Sequence, residues 1–300
     1  MPKRILQQSK SIVAAKEELI RSSEARNLSH RTIEFYDDRL NSFVTFLGEK
    51  TSLDNITLDD INAFLVSLKD KGLSPGSIAG YGRAIKRLLK FHNIPINIDK
   101  VKQPKKRITP FSKEQIKKLL AAPDKKTFSG LRDFTIMLLM LDCGTRVSEL
   151  LGLTKDKINL RGWSITVMGK GGKERTIPIG EASVSALKNY LAQIEDIPNN
   201  EPIFVSVYNE PMDRHGVWRK INNYGKKAGI TGVRVSPHTF RHTFAKMFLL
   251  NGGDIESLQK MMGHETMNMV KEYLNLIDED VARQHRKYSP ADSIIRRRRR

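Results

Sequence analysis

The chain contains one cysteine, Cys143, so it can form neither an intrachain disulfide nor a cysteine-cluster zinc site. Cys143 ends the apolar stretch I-M-L-L-M-L-D-C, where a buried thiol is expected rather than a nucleophile. Long apolar runs are also missing: residues 136–141 are the longest clean one, against the roughly 20 residues a membrane-spanning helix needs. The opening M-P-K-R-I-L-Q-Q-S-K lacks the apolar segment of a secretory signal, and a reducing cytoplasmic setting is expected. Acid is scarce relative to base. Against 52 Lys+Arg there are 33 Asp+Glu, a net charge of +19. Such an excess points to a polyanionic partner, with nucleic acid ahead of an anionic membrane surface. No helical pattern joins a basic face to a large exposed apolar one, so a membrane partner is not expected. At 39% hydrophobic and 28% charged the composition is that of a folded soluble protein. At 300 residues it exceeds what one core usually fills, and two domains are expected.

The pattern is mainly helical. An amphipathic stretch covers residues 12–20, and Ile33, Tyr36, Leu40, Phe43 and Leu47 then recur at helical spacing until Gly48. Thr57 with Asp60 three residues on reads as a helix start, as does Ser74 followed by Pro75. Residues 12–98 therefore read as a small bundle of about four helices. Residues 99–110, D-K-V-K-Q-P-K-K-R-I-T-P, read as an exposed basic linker. Residues 111–288 open with the capping box Ser112/Gln115 and carry helical patterns near 133–141, 184–194, 217–227, 240–250 and 255–262. One strand-like island interrupts them: 163–167, the turn G-K-G-G-K-E-R, and 176–179. The fold class expected is mainly α with a small antiparallel β insert. Residues 289–300 end in five arginines, a block that cannot pack and is expected to be disordered, or to be an appended tail; without it the net charge is still +14.

Two familiar motifs fail on inspection. G-K-G-G-K lacks the spacing of a phosphate-binding loop. His238 and His242 stand four apart on a helical pattern, but no Glu follows the first and Arg241 would repel a cation, so no metal site is assigned. A set of basic residues with one late tyrosine remains. Arg146, in G-T-R-V-S-E-L-L-G-L, stands at a helix start, where free N–H groups and positive potential suit an anionic oxygen; pairing with Glu149 is its ordinary structural use. Lys170 stands in the turn. His238 and Arg241 form H-x-x-R on one helical face. His264 follows Gly263, and Tyr273 comes nine residues later. Each alone has a bland explanation; their order does not.

That order resembles the tyrosine recombinase/integrase family, with its Arg…Lys…His-x-x-Arg…His…Tyr series, over nearly the whole chain from about residue 12 to 288. The layout is similar to the compact Xer-type members. The resemblance implies a helical core-binding (SAM-like) domain followed by a catalytic domain, closing as a clamp on DNA. It implies that Tyr273 attacks a phosphodiester to give a 3′-phosphotyrosyl link and a 5′ hydroxyl. Arg146 and Arg241 would hold the non-bridging oxygens, and Lys170 would protonate the leaving oxygen. His238 would assist proton transfer from the tyrosine, and His264 would hydrogen-bond the phosphate. No cofactor or metal is implied, because bond energy is kept in the phosphotyrosine. The implied partners are double-stranded DNA with inverted-repeat core sites, further copies of the chain in a tetramer on synapsed DNA, and accessory DNA-bending proteins, in a cytoplasmic, nucleoid-associated setting. Beyond Tyr273, Ile277, Val281 and His285 keep helical spacing, matching a helix that docks on a neighbouring subunit in the family. M-N-M-V-K-E precedes Tyr273 where relatives commonly have small hydroxyl residues. Candidate DNA contacts are Arg83, Lys86 and Arg87 on the helix G-Y-G-R-A-I-K-R, with Lys173 and Arg175 of the turn motif. Two other readings compete: type IB topoisomerase-like relaxation, and a non-catalytic DNA-binding regulator on the same fold.

Overall fold

The computed structural model describes residues 10–49, 51–103, 108–263, 285 and 289–295. The chain divides into two compact units, residues 1–106 and 107–300.

In the first unit, four helices form where the caps are: α1 (Ile12–Ala25), α2 (His30–Leu47), α3 (Leu58–Asp70) and α4 (Pro75–Phe91). Ser11, Thr57 and Ser74 each accept a hydrogen bond from a first-turn N–H of the helix they open. Thr57 and Asp60 complete a reciprocal capping box, in which the Thr57 N–H donates to Asp60 Oδ2 at 2.9 Å. Gly48 ends α2 at φ 90°. Leu19, Leu40, Phe43, Ile61, Phe64, Ile85 and Leu88 meet in one core. His92, just past α4, places a ring nitrogen 3.0 Å from the Ala15 carbonyl and ties the two ends of the bundle together.

The second unit is built around α6 (Phe128–Cys143), whose Ile136, Met137, Leu139, Met140 and Cys143 are all buried. It packs against α8 (Glu181–Leu191) and α10 (Pro237–Leu250). Burial pushes the Cys143 thiol well up from its ordinary pKa, so it stays a protonated core residue. Around this spine lie α5 (Lys113–Ala121), α7 (Val147–Leu151), α9 (Arg214–Lys227) and α11 (Ile255–Met262).

A three-stranded antiparallel sheet in the order β1 (Ile158–Asn159), β2 (Ser164–Met168), β3 (Glu174–Pro178) stands to one side. Its β2–β3 pair is fixed by Ile165 opposite Ile177 and Val167 opposite Arg175. The expected island is thus present, and a third strand, two residues long, adds to it. Four helices of the second unit begin ahead of their apolar patterns, α9 at Arg214 and α10 at Pro237 among them. Thr127 caps α6 well before residue 133, and α8 starts at Glu181 behind a glycine that offers no side-chain cap. Pro290–Ile295 form a short helix in the segment expected to lack order. Among the described residues no helix is long and apolar enough to cross a membrane.

Candidate active site

α6 ends in Gly144, left-handed at φ 59°. A Cβ there would lie 2.1 Å from the Phe244 ring, so no larger residue fits while that ring keeps its place. The turn delivers Arg146 to the N-cap of α7. The Arg146 N–H donates to Glu149 Oε2 at 2.9 Å, and its Nη1 donates to Glu149 Oε1 at 2.6 Å. The carboxylate is almost enclosed while the Arg146 side chain keeps 39% of its surface exposed. The structural pairing with Glu149 and the outward-facing guanidinium therefore coexist.

Arg241 comes from the buried face of α10 and is 4% exposed. Its Nη1 donates to the Gly144 carbonyl at 2.5 Å and its Nη2 to the Met262 carbonyl at 2.7 Å. One guanidinium thereby ties the turn before Arg146 to the last turn of α11, and the two carbonyls fix its plane. Gly263 closes α11 in the left-handed region at φ 63°, directly before His264.

His238, in the first turn of α10 behind the cap Ser236, is exposed. One turn on, His242 is half-buried, with ring centroids 5.1 Å apart and planes at 70°. Desolvation and the Arg241, Arg234 and Arg146 guanidiniums hold the His238 pKa below 6.5. Burial, then His238 and Arg241, push His242 down to about 4. Both rings are neutral at pH 7. Among the described residues no cluster of His, Cys, Asp or Glu could hold a metal.

Lys170 opens the turn between β2 and β3, where Gly171 and Gly172 both sit at φ 76°. His264 and Tyr273 lie outside the described residues, as do Ile277 and Val281. The structure therefore gathers Arg146, His238 and Arg241 and places the backbone of Lys170. Of the candidate DNA contacts, Arg83 and Lys86 are exposed on α4 and Arg87 is half-buried. Arg83 also stacks 5.7 Å from the Phe35 ring centre. Lys173 is exposed beside the turn.

Arg175 differs from the DNA-facing position expected of it. Its side chain is only 15% exposed, and Glu149 accepts from both its Nη atoms, at 3.1 and 2.7 Å. The sequence did carry a signal: β3 alternates, and Arg175 shares its face with buried Ile177. Glu149 was legible only as a neighbour of Arg146. Nothing local shows that β3, 26 residues on, returns a second arginine to it.

A helical bundle, then a mainly helical unit that sets two arginines and a histidine at one turn beside a glycine-rich hairpin, defines an enzyme that cleaves and rejoins DNA strands. The chain belongs to the phage integrase family of tyrosine recombinases. The model described as "Phage integrase family" matches residues 109–280, and that described as "Phage integrase, N-terminal SAM-like domain" matches residues 22–93. The tyrosine recombinase XerD of Listeria monocytogenes is 30% identical, over 84% of this chain and 90% of its own. Two solved structures share the fold. The Tn1549 transposon integrase in complex with transposon right-end DNA is 18% identical over 93% of this chain and 99% of that one, with a TM-score of 0.75. The lambda integrase tetramer bound to a Holliday junction is 18% identical over 89% of this chain and 78% of that one, with a TM-score of 0.72. The relatives give no support to the topoisomerase-like or regulatory readings.

Proposed function

We propose that Tyr273 is the nucleophile of this recombinase and that Arg146, Lys170, His238, Arg241 and His264 serve the same phosphate. The tyrosine oxygen forms a bond to phosphorus, and the bond from phosphorus to the 5′ oxygen breaks. A 3′-phosphotyrosyl link remains, and Lys170 supplies the proton that makes a 5′ hydroxyl. Neutral His238 takes up the tyrosine proton. The guanidiniums of Arg146 and Arg241 meet the charge that builds on the non-bridging oxygens. Attack by the 5′ hydroxyl of a second strand reverses the chemistry and conserves the phosphoester, so the exchange needs no external energy source. The observation that carries this reading is the Arg241–Gly144 carbonyl bond, which locks one arginine two residues from the other.

In this reading residues 12–98 are the core-binding part, 99–110 the linker and 111–288 the catalytic part. The division near residue 106 and the two family matches support it. Arg83, Lys86, Arg87 and Lys173 face duplex DNA whose core sites are inverted repeats. The protein works as a tetramer on two synapsed duplexes, a reading supported by the lambda integrase tetramer on its junction. Accessory DNA-bending proteins and a place on the nucleoid complete the reading.

The test uses a duplex recovered by selection from a random pool with this protein, nicked so that cleavage traps the adduct. The natural protein is expected to yield a covalent complex that survives detergent, and Tyr273→Phe none. An adduct formed by Tyr273→Phe would remove the nucleophile assignment.

A further inference from the structure

We propose that Arg175 is a positioning residue of the strand-transfer site, holding Arg146 on α7, the last turn of α11 and the root of the β2–β3 hairpin in one arrangement without itself meeting DNA. The inference rests on the recombinase reading and deepens it.

Arg175 lies on β3 opposite Val167 with its side chain turned inward. All three guanidinium nitrogens have partners. Nε donates to the Met261 carbonyl at 2.9 Å, and Nη1 and Nη2 donate to the two oxygens of Glu149 at 3.1 and 2.7 Å. That carboxylate also accepts the N–H and Nη1 of Arg146, so four hydrogen bonds fill its oxygens. Arg146 thus takes its place from an anion that Arg175 holds. The same guanidinium packs directly on Gly263: a Cβ there would stand 2.9 Å from Arg175 Cζ. At the base of the β2–β3 turn, a Cβ on Gly169 would stand 3.4 Å from Nη1. Gly169 precedes Lys170 and Gly263 precedes His264. One planar group therefore bonds α7 and the last turn of α11 and lies beside the root of the hairpin.

The chemistry requires arginine. A lysine ammonium is a single point charge and cannot span both Glu149 oxygens while reaching the Met261 carbonyl. Burial alone would push the Glu149 carboxyl up. The Arg175 hydrogen bonds outweigh it together with those of Arg146, and the group is held below the ordinary carboxylate range. Without Arg175, Glu149 would keep Arg146 as its one close cation in this cluster, draw it inward, and take up a proton more readily.

The test compares natural protein, Arg175→Lys and Arg175→Ala on the selected nicked duplex, the lysine form serving if the alanine form does not fold. Melting temperature, dissociation constant and single-turnover cleavage at saturating protein are measured between about pH 5 and about pH 8. The expected result is a dissociation constant within about twofold of natural and cleavage slower by about a hundredfold. A new loss of rate on the acid side is also expected as Glu149 protonates and releases Arg146. Adding Glu149→Gln to Arg175→Lys should abolish that acid limb. Two results would overturn the proposal. One is weaker DNA binding with cleavage at saturation unchanged, which makes Arg175 a DNA contact. The other is a rate loss equal at every pH and matched by a fall in melting temperature, which makes it a fold residue only. If the natural protein itself forms no adduct, the recombinase reading falls, and this proposal falls with it.

Discussion

Two histidines one turn apart on α10 show how strongly this site bends the chemistry of a single residue. His238 and His242 have the same side chain and the same neighbour in Arg241, yet His238 is exposed and His242 half-buried. Burial dominates for His242, whose pKa of about 4 lies well below the ordinary 6.5. The sign of the resulting pH dependence follows. The unfolded chain binds this proton first as pH falls, so the stability that goes with neutral His242 is complete above about pH 6.5 and is lost as pH falls toward about 4. Melting temperatures measured from neutral pH down to about pH 4.5 should fall in the natural protein and fall less in His242→Gln. The difference is at most about 3 kcal/mol, since a shift of one pKa unit is worth about 1.4 kcal/mol. Identical curves for the two proteins would mean that His242 is not buried neutral. His242 entered the sequence reading only as half of a rejected metal pair. Spacing placed it on the His238 face, but only packing shows that it is held neutral there.

Elements were legible in proportion to how local their cause is. Thr57, Ser74 and Ser112 each announce a helix, because a cap acts within three residues of itself. α8 begins behind Gly180 with no side-chain cap, and its start was read three residues late. β1 is two residues long and exists only because β2 pairs with it, which no local pattern records. The site divides in the same way. The H-x-x-R face of α10 was readable from helical spacing, whereas the partners of Arg175 and Arg241 come from 26 and 97 residues away.

The α6–α7 junction tests how far one element sets another. Gly144 is left-handed, and an added Cβ would strike Phe244, a 5% exposed ring packed with Leu249, Leu258 and Met262. Gly144→Ala should cost about 2–4 kcal/mol, combining left-handed strain with overpacking. It should also slow cleavage, because the Gly144 carbonyl anchors Arg241. Gly229→Ala is the control. That residue is also left-handed, at φ 64°, but a Cβ there meets nothing within 4 Å, so about 1–2 kcal/mol and unchanged cleavage are expected. Denaturant unfolding and single-turnover cleavage of both variants give the comparison; equal losses would mean that the Phe244 contact is immaterial.

At the scale of the whole molecule the question is what the charge of +19 does. Arg146, Arg175 and Arg241 are committed to fixed local partners in the second unit, and Arg132 is buried on Asp133 and the Val205 carbonyl. Asp133 offsets the charge of Arg132 and Glu149 one of the two charges of Arg146 and Arg175, while Arg241 lies buried on the Gly144 and Met262 carbonyls, so these cations are held to local work rather than spread over the surface. Exposed cations such as Arg83, Lys86 and Lys173 remain in both units, together with the terminal arginines at 296–300. A polyanion neutralised by Z cations releases counterions, so binding falls with salt on a log–log slope of about −0.9Z. Removing residues 296–300 leaves +14 and should flatten that slope on a random-sequence duplex by no more than about 4.5, about 0.9 for each arginine lost. Cleavage of the selected nicked duplex at saturating protein should not change, since the proposed catalytic residues all precede the tail. Anisotropy titrations across a salt series, set beside single-turnover rates, separate the two effects. A slope that collapses to zero in the truncated protein would put DNA attraction in the tail alone, and a lost cleavage rate would make the tail part of the machine. With both units basic at their surfaces, a reduced but persistent slope is the expected outcome.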